Sequence, residues 1–436
     1  MTDWAFETRQ IHAGQSPDPA TGARALPIFQ TTSYVFQDAE TAANRFALAD
    51  LGPIYTRLGN PTTEVVENRL ASLEGGVGAL LVASGTAATT YAILNVAQAG
   101  DHVVASAALY GGTYNLLKYT LPRLGIQTTF VQDPADLDQW RAAFRPNTKI
   151  AFGETISNPD QQVLDVEAVA GIAHEAGVPL FVDNTVATPY LIRPIEYGAD
   201  VVIHSATKYL GGHGTSLVGA LVDAGTFDYT REPEKFPQFN TPAESYHGLV
   251  YGRDLGVGSP FGANMSFILK ARVDLLRDTG AAVSPFNSFL LSLGLETLSL
   301  RMERHVDNTR KVVEHLSRHP QVESVNYASL EGNRDFERAR KYCPRGSGAA
   351  FSFEITGGLD AGRRFVDALE LHSHVANIGD VRSLVIHPAS TTHSQGSDED
   401  RAGAGVTPGL IRLAVGLEHI DDILADLDRG FAAAAA

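Results

Sequence analysis

Val201-Val-Ile-His-Ser-Ala-Thr-Lys-Tyr-Leu-Gly-Gly-His-Gly214 runs from an apolar stretch into a glycine-rich turn. It sets Lys208 between two hydroxyl residues, Ser205 and Thr207, and the glycines. The apolar part reads as a buried strand, so Lys208 is expected just past a strand end, in a confined cleft. An amine whose charge is disfavoured by its surroundings becomes a nucleophile and a base. Such amines condense with aldehydes to give Schiff bases. The hydroxyls of Ser205 and Thr207 are placed to hydrogen-bond a phosphate on the same ligand. The plain alternative is a surface lysine in a glycine-rich turn, and the rest of the chain decides between the two.

On both sides of this stretch short apolar runs alternate with helix-like segments. The runs are Ala79-Leu-Leu-Val82, His102-Val-Val-Ala105, Thr128-Thr-Phe-Val131, Lys149-Ile-Ala-Phe152, Leu180-Phe-Val182, Val201-Val-Ile203 and Leu217-Val-Gly-Ala-Leu-Val222. Helices are predicted over Thr86 to Gln98, Tyr114 to Leu124 and Val166 to Ala176. Continuous apolar strands separated by helices predict an α/β fold with a mainly parallel sheet covered on both faces. In such a sheet a ligand lies at the C-terminal strand ends. The first sixty or so residues, punctuated by Pro17, Pro19, Pro27, Pro53 and Pro61, read as an extended arm. From about residue 270 the pattern becomes α+β. A long amphipathic helix over Thr297 to His319 precedes strands at Ala350–Ile355, Ser383–Ile386 and Ile411–Val415, with a helix near Asp360 to Leu371. Three parts are therefore expected: an arm over 1–63, a large ligand-binding domain over 64–271 and a smaller C-terminal domain over 272–436. Ser394 to Gly405 reads as an exposed loop, and the alanines from Ala432 to Ala436 as a frayed end.

The predicted strand ends carry chemistry. Ala83-Ser-Gly-Thr-Ala-Ala88 is a small-residue turn entering a helix, where backbone N–H groups and the helix dipole favour an anion. Many such turns are only caps. Tyr110-Gly-Gly-Thr113 offers an aromatic ring that either stacks on a flat ligand or simply packs. Val182-Asp-Asn-Thr185 ends an apolar strand in a carboxylate, which is costly to bury without a cationic partner. Asp183 could also be a helix cap. Together these give a Schiff-base lysine, a partner for a protonated pyridine nitrogen, a stacking ring and phosphate donors along one sheet edge. That combination fits pyridoxal 5′-phosphate (PLP).

Bulk properties narrow the field. The 436 residues carry a formal charge of −16 with 44% hydrophobic residues, which argues against non-specific nucleic-acid binding and against disorder. Neither a signal-peptide pattern at the N-terminus nor a membrane-spanning apolar run is expected. The one cysteine, Cys343, fits a reducing cytoplasm and a packing role. There is no Gly-x-x-x-x-Gly-Lys loop, no Gly-x-Gly-x-x-Gly fingerprint and no His-Glu-x-x-His metal motif.

Tyr55-Thr-Arg-Leu-Gly-Asn-Pro-Thr62, Tyr110-Gly-Gly-Thr-Tyr114, Ser157-Asn-Pro159, Val182-Asp-Asn-Thr185, Ser205-Ala-Thr-Lys-Tyr209, Asn377-Ile-Gly-Asp380, Ser383 to His393 and Ile411-Arg-Leu-Ala-Val-Gly-Leu-Glu418 form a specific set. On these motifs the chain resembles, nearly end to end, the Cys/Met-metabolism family of PLP-dependent enzymes. Within it the chain is most similar to the O-acetylhomoserine sulfhydrylases. The resemblance implies the aspartate aminotransferase-like fold, PLP-dependent transferase fold type I. It implies that Lys208 holds PLP and shuttles protons, that Asp183 meets the ring nitrogen, that Tyr110 stacks on the ring and that Asn158 bonds the ring oxygen. It places the phosphate on Gly85, Thr86, Ser205 and Thr207, completed by Tyr55 and Arg57 of a neighbouring subunit, and counts Thr185 among the cofactor-binding residues. Tyr110 and Tyr55 become candidates for assisting proton transfer and leaving-group departure, and Ser383 and Arg412 for binding the substrate carboxylate. The implied partners are an amino-acid ester, sulfide or a thiol, and further copies of the chain in a tetramer of dimers, with no nucleic acid, membrane or metal. The implied reaction is γ-replacement of O-acetyl-L-homoserine by sulfide to give L-homocysteine and acetate, a step of methionine biosynthesis. Related alternatives are methionine γ-lyase, cystathionine γ-synthase or γ-lyase, and O-succinylhomoserine sulfhydrylase; a nucleotide-binding or purely structural α/β protein is the alternative from another class. Methionine γ-lyases typically have cysteine where this chain has Gly112. The continuation Gly212-His-Gly-Thr215 and the long stretch from Thr226 to Gly258 are similar to the sulfhydrylases. Arg382 and Gln395-Gly-Ser-Asp398 depart from the sulfhydrylase pattern, which bears on the preferred acyl group.

Overall fold

The computed structural model describes residues 4–50, 52–158, 160–392 and 406–435. The loop expected over 394–405 and the departure at 395–398 lie outside them, as do Pro159, His393 and the N-terminal Met1-Thr-Asp3.

Seven strands build the larger sheet: β1 Gly78–Val82, β2 His102–Ser106, β3 Gln127–Val131, β4 Thr148–Glu154, β5 Leu180–Asp183, β6 Val201–Ser205 and β7 Gly219–Asp223. Their order is β1-β7-β6-β5-β4-β2-β3. Strands β2 to β6 pair in parallel, and β7 runs antiparallel to β1 and β6. The alternation of side chains explains the continuous apolar runs. Ala151, Val182 and Val202 enter the core on one face, whereas Phe152, Phe181 and Ile203 enter the core on the other. With both faces buried, every position of a strand must be apolar until the strand ends. The polar residues Glu154, Asp183 and Ser205 are the last residues of β4, β5 and β6.

A second sheet contains β8 Val322–Asn326, β9 Ala350–Ile355, β10 Ser373–His374, β11 Leu384–Ile386 and β12 Leu410–Ala414, in the order β10-β11-β12-β9-β8. The helices Gly358–Ala368 and Ile420–Ala434 supply its apolar cover through residues such as Phe365, Leu427 and Phe431. The long helix Leu298–Ser317 links the two regions.

Several expectations change. The arm contains the helices Phe6–His12 and Ala39–Phe46, and the helix Pro61–Glu74 begins at its end. That last helix has a complete start signal: the Asn60 side chain accepts from the Thr62 N–H, and Pro61 occupies the first turn. The predicted helix over Tyr114 to Leu124 breaks into a short α-helix, a wide turn and a 3₁₀ turn, ending at Gly125 with φ 81°. Ala432, Ala433 and Ala434 are helical rather than frayed. The helix Ile420–Ala434 runs into them and buries Ala434, because small side chains let it lie close to the helix Gly358–Ala368, whose Arg364 donates to Ala434 O at 2.9 Å. Among the described residues, no helix is long and apolar enough to cross a membrane.

Candidate active site

A cavity of about 230 Å³ opens at the C-terminal ends of β4, β5 and β6. Its wall brings together Gly85, Thr86, Tyr110, Asn158, Asp183, Thr185, Ser205, Thr207, Lys208 and Arg412. Elements far apart in the chain meet there because each supplies a strand end, a helix start or a loop to the same edge.

Lys208 sits in the tight turn after β6. Its N–H donates to Ser205 O at 3.1 Å, and its carbonyl accepts from the Gly212 N–H at 2.7 Å. Its ammonium donates to Asn377 Oδ1. Burial, and then the positive charge of Arg412, hold the Lys208 amine below the usual lysine range. That is the condition for an amine that reacts and exchanges protons.

Two carboxylates stand side by side opposite it. Glu154 and Asp183 are register partners on β4 and β5. Burial, and then the charge of Asp183, raise Glu154 well above the usual carboxylate range. Burial also raises Asp183, although its carboxylate accepts from the Thr185 N–H at 2.9 Å. No Lys or Arg side chain pairs with either among the described residues, so this corner of the cavity favours a cationic group. A protonated pyridine nitrogen has the right charge. Glu154 also accepts from the Tyr110 N–H at 2.6 Å, which fixes the start of the helix Gly111–Asn115.

The opposite end suits an anion. The helix Gly85–Leu94 points its first turn at the cavity, capped by Ser84, whose side chain accepts from Ala87. N–H groups of a first turn have no intrahelical partner. Gly85 is required by close approach, since a Cβ there would lie 2.6 Å from Ser205 Cβ. The Thr185 hydroxyl accepts from the Ser205 N–H at 2.8 Å and hydrogen-bonds the Asp183 carboxylate, so it joins the end of β6 to that of β5. Thr207 differs from expectation: its hydroxyl donates to Val218 O and accepts from Val218 N–H, so it joins the turn to the next segment. Asn158 leaves a buried amide oxygen without a protein partner at the cavity wall. Residues of this kind, in these places, fit PLP: a lysine for its aldehyde, a carboxylate for its ring nitrogen, and helix N–H groups with hydroxyls for its phosphate.

Tyr110 is 56% exposed, and its ring lies over Gly112, where a Cβ would come within 2.4 Å of Tyr110 Cε1. The glycine therefore leaves room for the ring. Arg412 donates to Asn377 O at 3.2 Å and lines the cavity.

Ser383 is fully buried away from the cavity wall, with its hydroxyl donating to Glu418 at 2.9 Å and accepting from the Gly416 N–H. It ties the start of β11 to the segment after β12. Asn377 lies beside Arg412 and lines the cavity. Tyr55 and Arg57, expected to reach a neighbouring subunit's site, lie outside this chain's own cavity. The Arg57 guanidinium lies 5.4 Å from the Tyr55 ring centroid and donates to Arg277 O.

Asn377 and Glu154 are the site residues that sequence reasoning missed. For Asn377 a signal existed in Asn377-Ile-Gly-Asp380. Gly379 has φ 74°, and a Cβ there would meet Tyr209 N at 2.5 Å, so the glycine lets this loop reach the Lys208 turn.

The family model for Cys/Met metabolism PLP-dependent enzymes matches residues 7–432. An O-acetyl-L-homoserine sulfhydrylase of Corynebacterium glutamicum is 55% identical, covering 99% of this chain and 97% of its own. The protein of the same name from Leptospira meyeri is 53% identical, covering 97% and 95%. Among solved structures, a proposed O-acetylhomoserine (thiol)-lyase of Campylobacter jejuni superposes with a TM-score of 0.92 at 40% identity, over 98% of this chain and 100% of that one. That structure carries a lysine joined to pyridoxal as a pyridoxyl-lysine monophosphate.

Proposed function

The chain belongs to the Cys/Met-metabolism family of PLP-dependent enzymes, and from that membership we propose a γ-replacement that turns O-acetyl-L-homoserine and sulfide into L-homocysteine and acetate. The choice of ester and acceptor is supported by the relatives named O-acetyl-L-homoserine sulfhydrylase at 55% and 53% identity. The observation that carries the chemistry is the bridge at Asn377, whose side-chain oxygen accepts from Lys208 and whose carbonyl accepts from Arg412. A proton-moving amine and a carboxylate-binding guanidinium thus share one short loop.

When bound, PLP supplies the ring that takes up the electron pair left as the substrate carbon loses its proton. Asp183 keeps the ring nitrogen protonated, and Glu154 beside it holds the Tyr110 N–H. Arg412 grips the α-carboxylate in a bidentate pair that lysine could not make. Lys208 removes the α-proton and then a β-proton, which its flexible stem allows from one face of the site. The Cγ–O bond breaks and acetate leaves with its electron pair; sulfide forms the new Cγ–S bond, and protons return to the β- and α-carbons. Tyr110 stands where its hydroxyl can assist departure. We further propose that Tyr55 and Arg57 reach the phosphate of a neighbouring subunit in a tetramer built from dimers. The proposed setting is methionine biosynthesis in the reducing cytoplasm.

The test is a substrate panel on the yellow, hydroxylamine-bleachable holoprotein: O-acetyl- and O-succinyl-homoserine against sulfide and methanethiol. Sulfide-dependent homocysteine from the acetyl ester is the expected result. Release of 2-oxobutanoate and ammonia without any thiol product would replace this reading with elimination.

A further inference from the structure

On the helix Leu298–Ser317, Arg301, His305 and Asn308 follow one another at spacings of four and three, which places them in a row on one face. The row is buried: Arg301 is 5% exposed, and His305 and Asn308 are fully enclosed. Polar groups in such a place are costly unless every strong donor is used. Most of their donors go to backbone carbonyls of the segments that follow Lys208 and β12.

At one end, Arg301 donates to Tyr209 O at 2.7 Å and Leu210 O at 3.0 Å. It also donates to Gly294 O at 2.7 Å and to the Thr297 hydroxyl. All of these acceptors are uncharged, and burial lowers the guanidinium to about 10. Tyr209 and Leu210 are the residues directly after Lys208. In the middle, His305 donates through Nδ1 to Val415 O at 2.7 Å, and its ring meets the Tyr209 ring edge-on at 5.3 Å. At the other end, Asn308 donates to Gly416 O and Glu418 O, both at 3.0 Å. Val415 and Gly416 directly follow β12, the strand that carries Arg412.

We propose that this row is a spacer that fixes Lys208 relative to Arg412, with Arg301 positioning the lysine and Asn308 positioning the carboxylate-binding arginine. The inference rests on the roles proposed above for those two residues. An α-helix rises about 1.5 Å per residue, so the seven-residue step from Arg301 to Asn308 is a stiff bar of about 10 Å. A bar that holds two loops by their backbones sets where the base stands over a substrate whose carboxylate is already gripped. Neither Arg301 nor Asn308 lines the cavity, so both act through their neighbours.

The test compares holoenzyme variants at each end of the row: Arg301→Lys with Arg301→Gln as a second variant, and Asn308→Leu with Asn308→Ser. The readouts are kcat and KM for O-acetylhomoserine, PLP affinity, melting temperature, and the pH midpoint of the bound-PLP absorbance. The Arg301 variants are expected to lose about 100-fold in kcat, the scale of a small misplacement of a reacting group. Their KM stays within about twofold, and their spectral midpoint shifts. The Asn308 variants are expected to raise KM about tenfold, with kcat and the spectral midpoint nearly unchanged. Equal changes of kcat and KM at both ends, or lower melting temperatures with unchanged kinetics and spectra, would overturn the spacer. The spectral titration needs no substrate, so it still tests the spacer if wild type makes no homocysteine; that result would instead remove the proposed reaction.

Discussion

Replacing Arg412 tests the binding and the proton chemistry of the cleft at once. The guanidinium has five N–H donors, of which one goes to Asn377 O, and the residue lines the cavity. A carboxylate held in a fork receives two charge-assisted hydrogen bonds. Arg412→Lys keeps the charge and loses one bond, a loss of about 1.5–3 kcal/mol. At about 1.4 kcal/mol per tenfold, KM for O-acetylhomoserine should rise about ten- to a hundredfold. Arg412→Ala loses both bonds and should exceed that range. A second effect separates this from generic damage. The charge of Arg412 helps hold the Lys208 nitrogen below the usual lysine range, after burial. Removing it favours the protonated form of that nitrogen, so the acidic limb of kcat/KM should move to higher pH in Arg412→Ala and stay in place in Arg412→Lys. Steady-state kinetics across pH, with melting temperature as control, measures both. An unaltered KM, or a limb that fails to move in the alanine variant, would remove Arg412 from the site.

Other tests address the remaining assignments. Lys208→Ala should abolish turnover, and mixed oligomers of inactive Lys208→Ala and Arg57→Ala subunits should regain activity; confirmed mixed oligomers without recovery would refute the in-trans role of Arg57. Asp183→Asn should bind PLP yet lose at least about 100-fold in kcat, the scale of removing one preorganised electrostatic group. Reconstitution with N-methyl-PLP, whose ring nitrogen is permanently cationic, should restore part of that activity, and equal rates with either cofactor would refute the nitrogen contact. Away from the site, Asp426 is buried but bonded to His372 and to backbone N–H groups, and those bonds hold its carboxylate below the usual range. A lowered folded-state value adds stability above the ordinary aspartate range and loses it as pH falls. Asp426→Asn should therefore melt lower than wild type near neutral pH, with the gap narrowing in acid; a constant gap would show that the charge contributes nothing.

The large sheet was legible because its inner strands are buried on two faces, so the runs around Val182 and Val202 had no polar interruption to blur them. The same physics marked the site. A polar residue closing an apolar run, as Asp183 and Ser205 do, is noticeable because the rest of the run excludes polarity. Glu154 obeys the same rule at the end of β4, but Gly153 separates it from the apolar core of its run, and the carboxylate was passed over. The edge strand Val322–Asn326 was hidden for the opposite reason, since its mixed, half-exposed residues look like loop. The C-terminal helix was missed because five alanines resemble a disordered tail when their packing partner, the helix Gly358–Ala368, is far away in the chain.

Residues that face the cleft from the second sheet were harder to read, and the reason is general. Ser383 and Asn377 are six positions apart in one loop-rich stretch, and both are small polar residues near β11. Sequence chemistry treats them alike, because either could bind a carboxylate. Only tertiary packing separates them: Glu418 turns Ser383 inward through its N–H and hydroxyl, while Gly379 lets the backbone fold so that Asn377 reaches Lys208. Local pattern therefore identifies which residues can do the chemistry, and long-range contacts decide which of them do. The polar row at Arg301, His305 and Asn308 is the extreme case. In sequence it looks like the solvated face of an amphipathic helix, and in the fold it is the buried face, because its donors close carbonyls on both sides of the site.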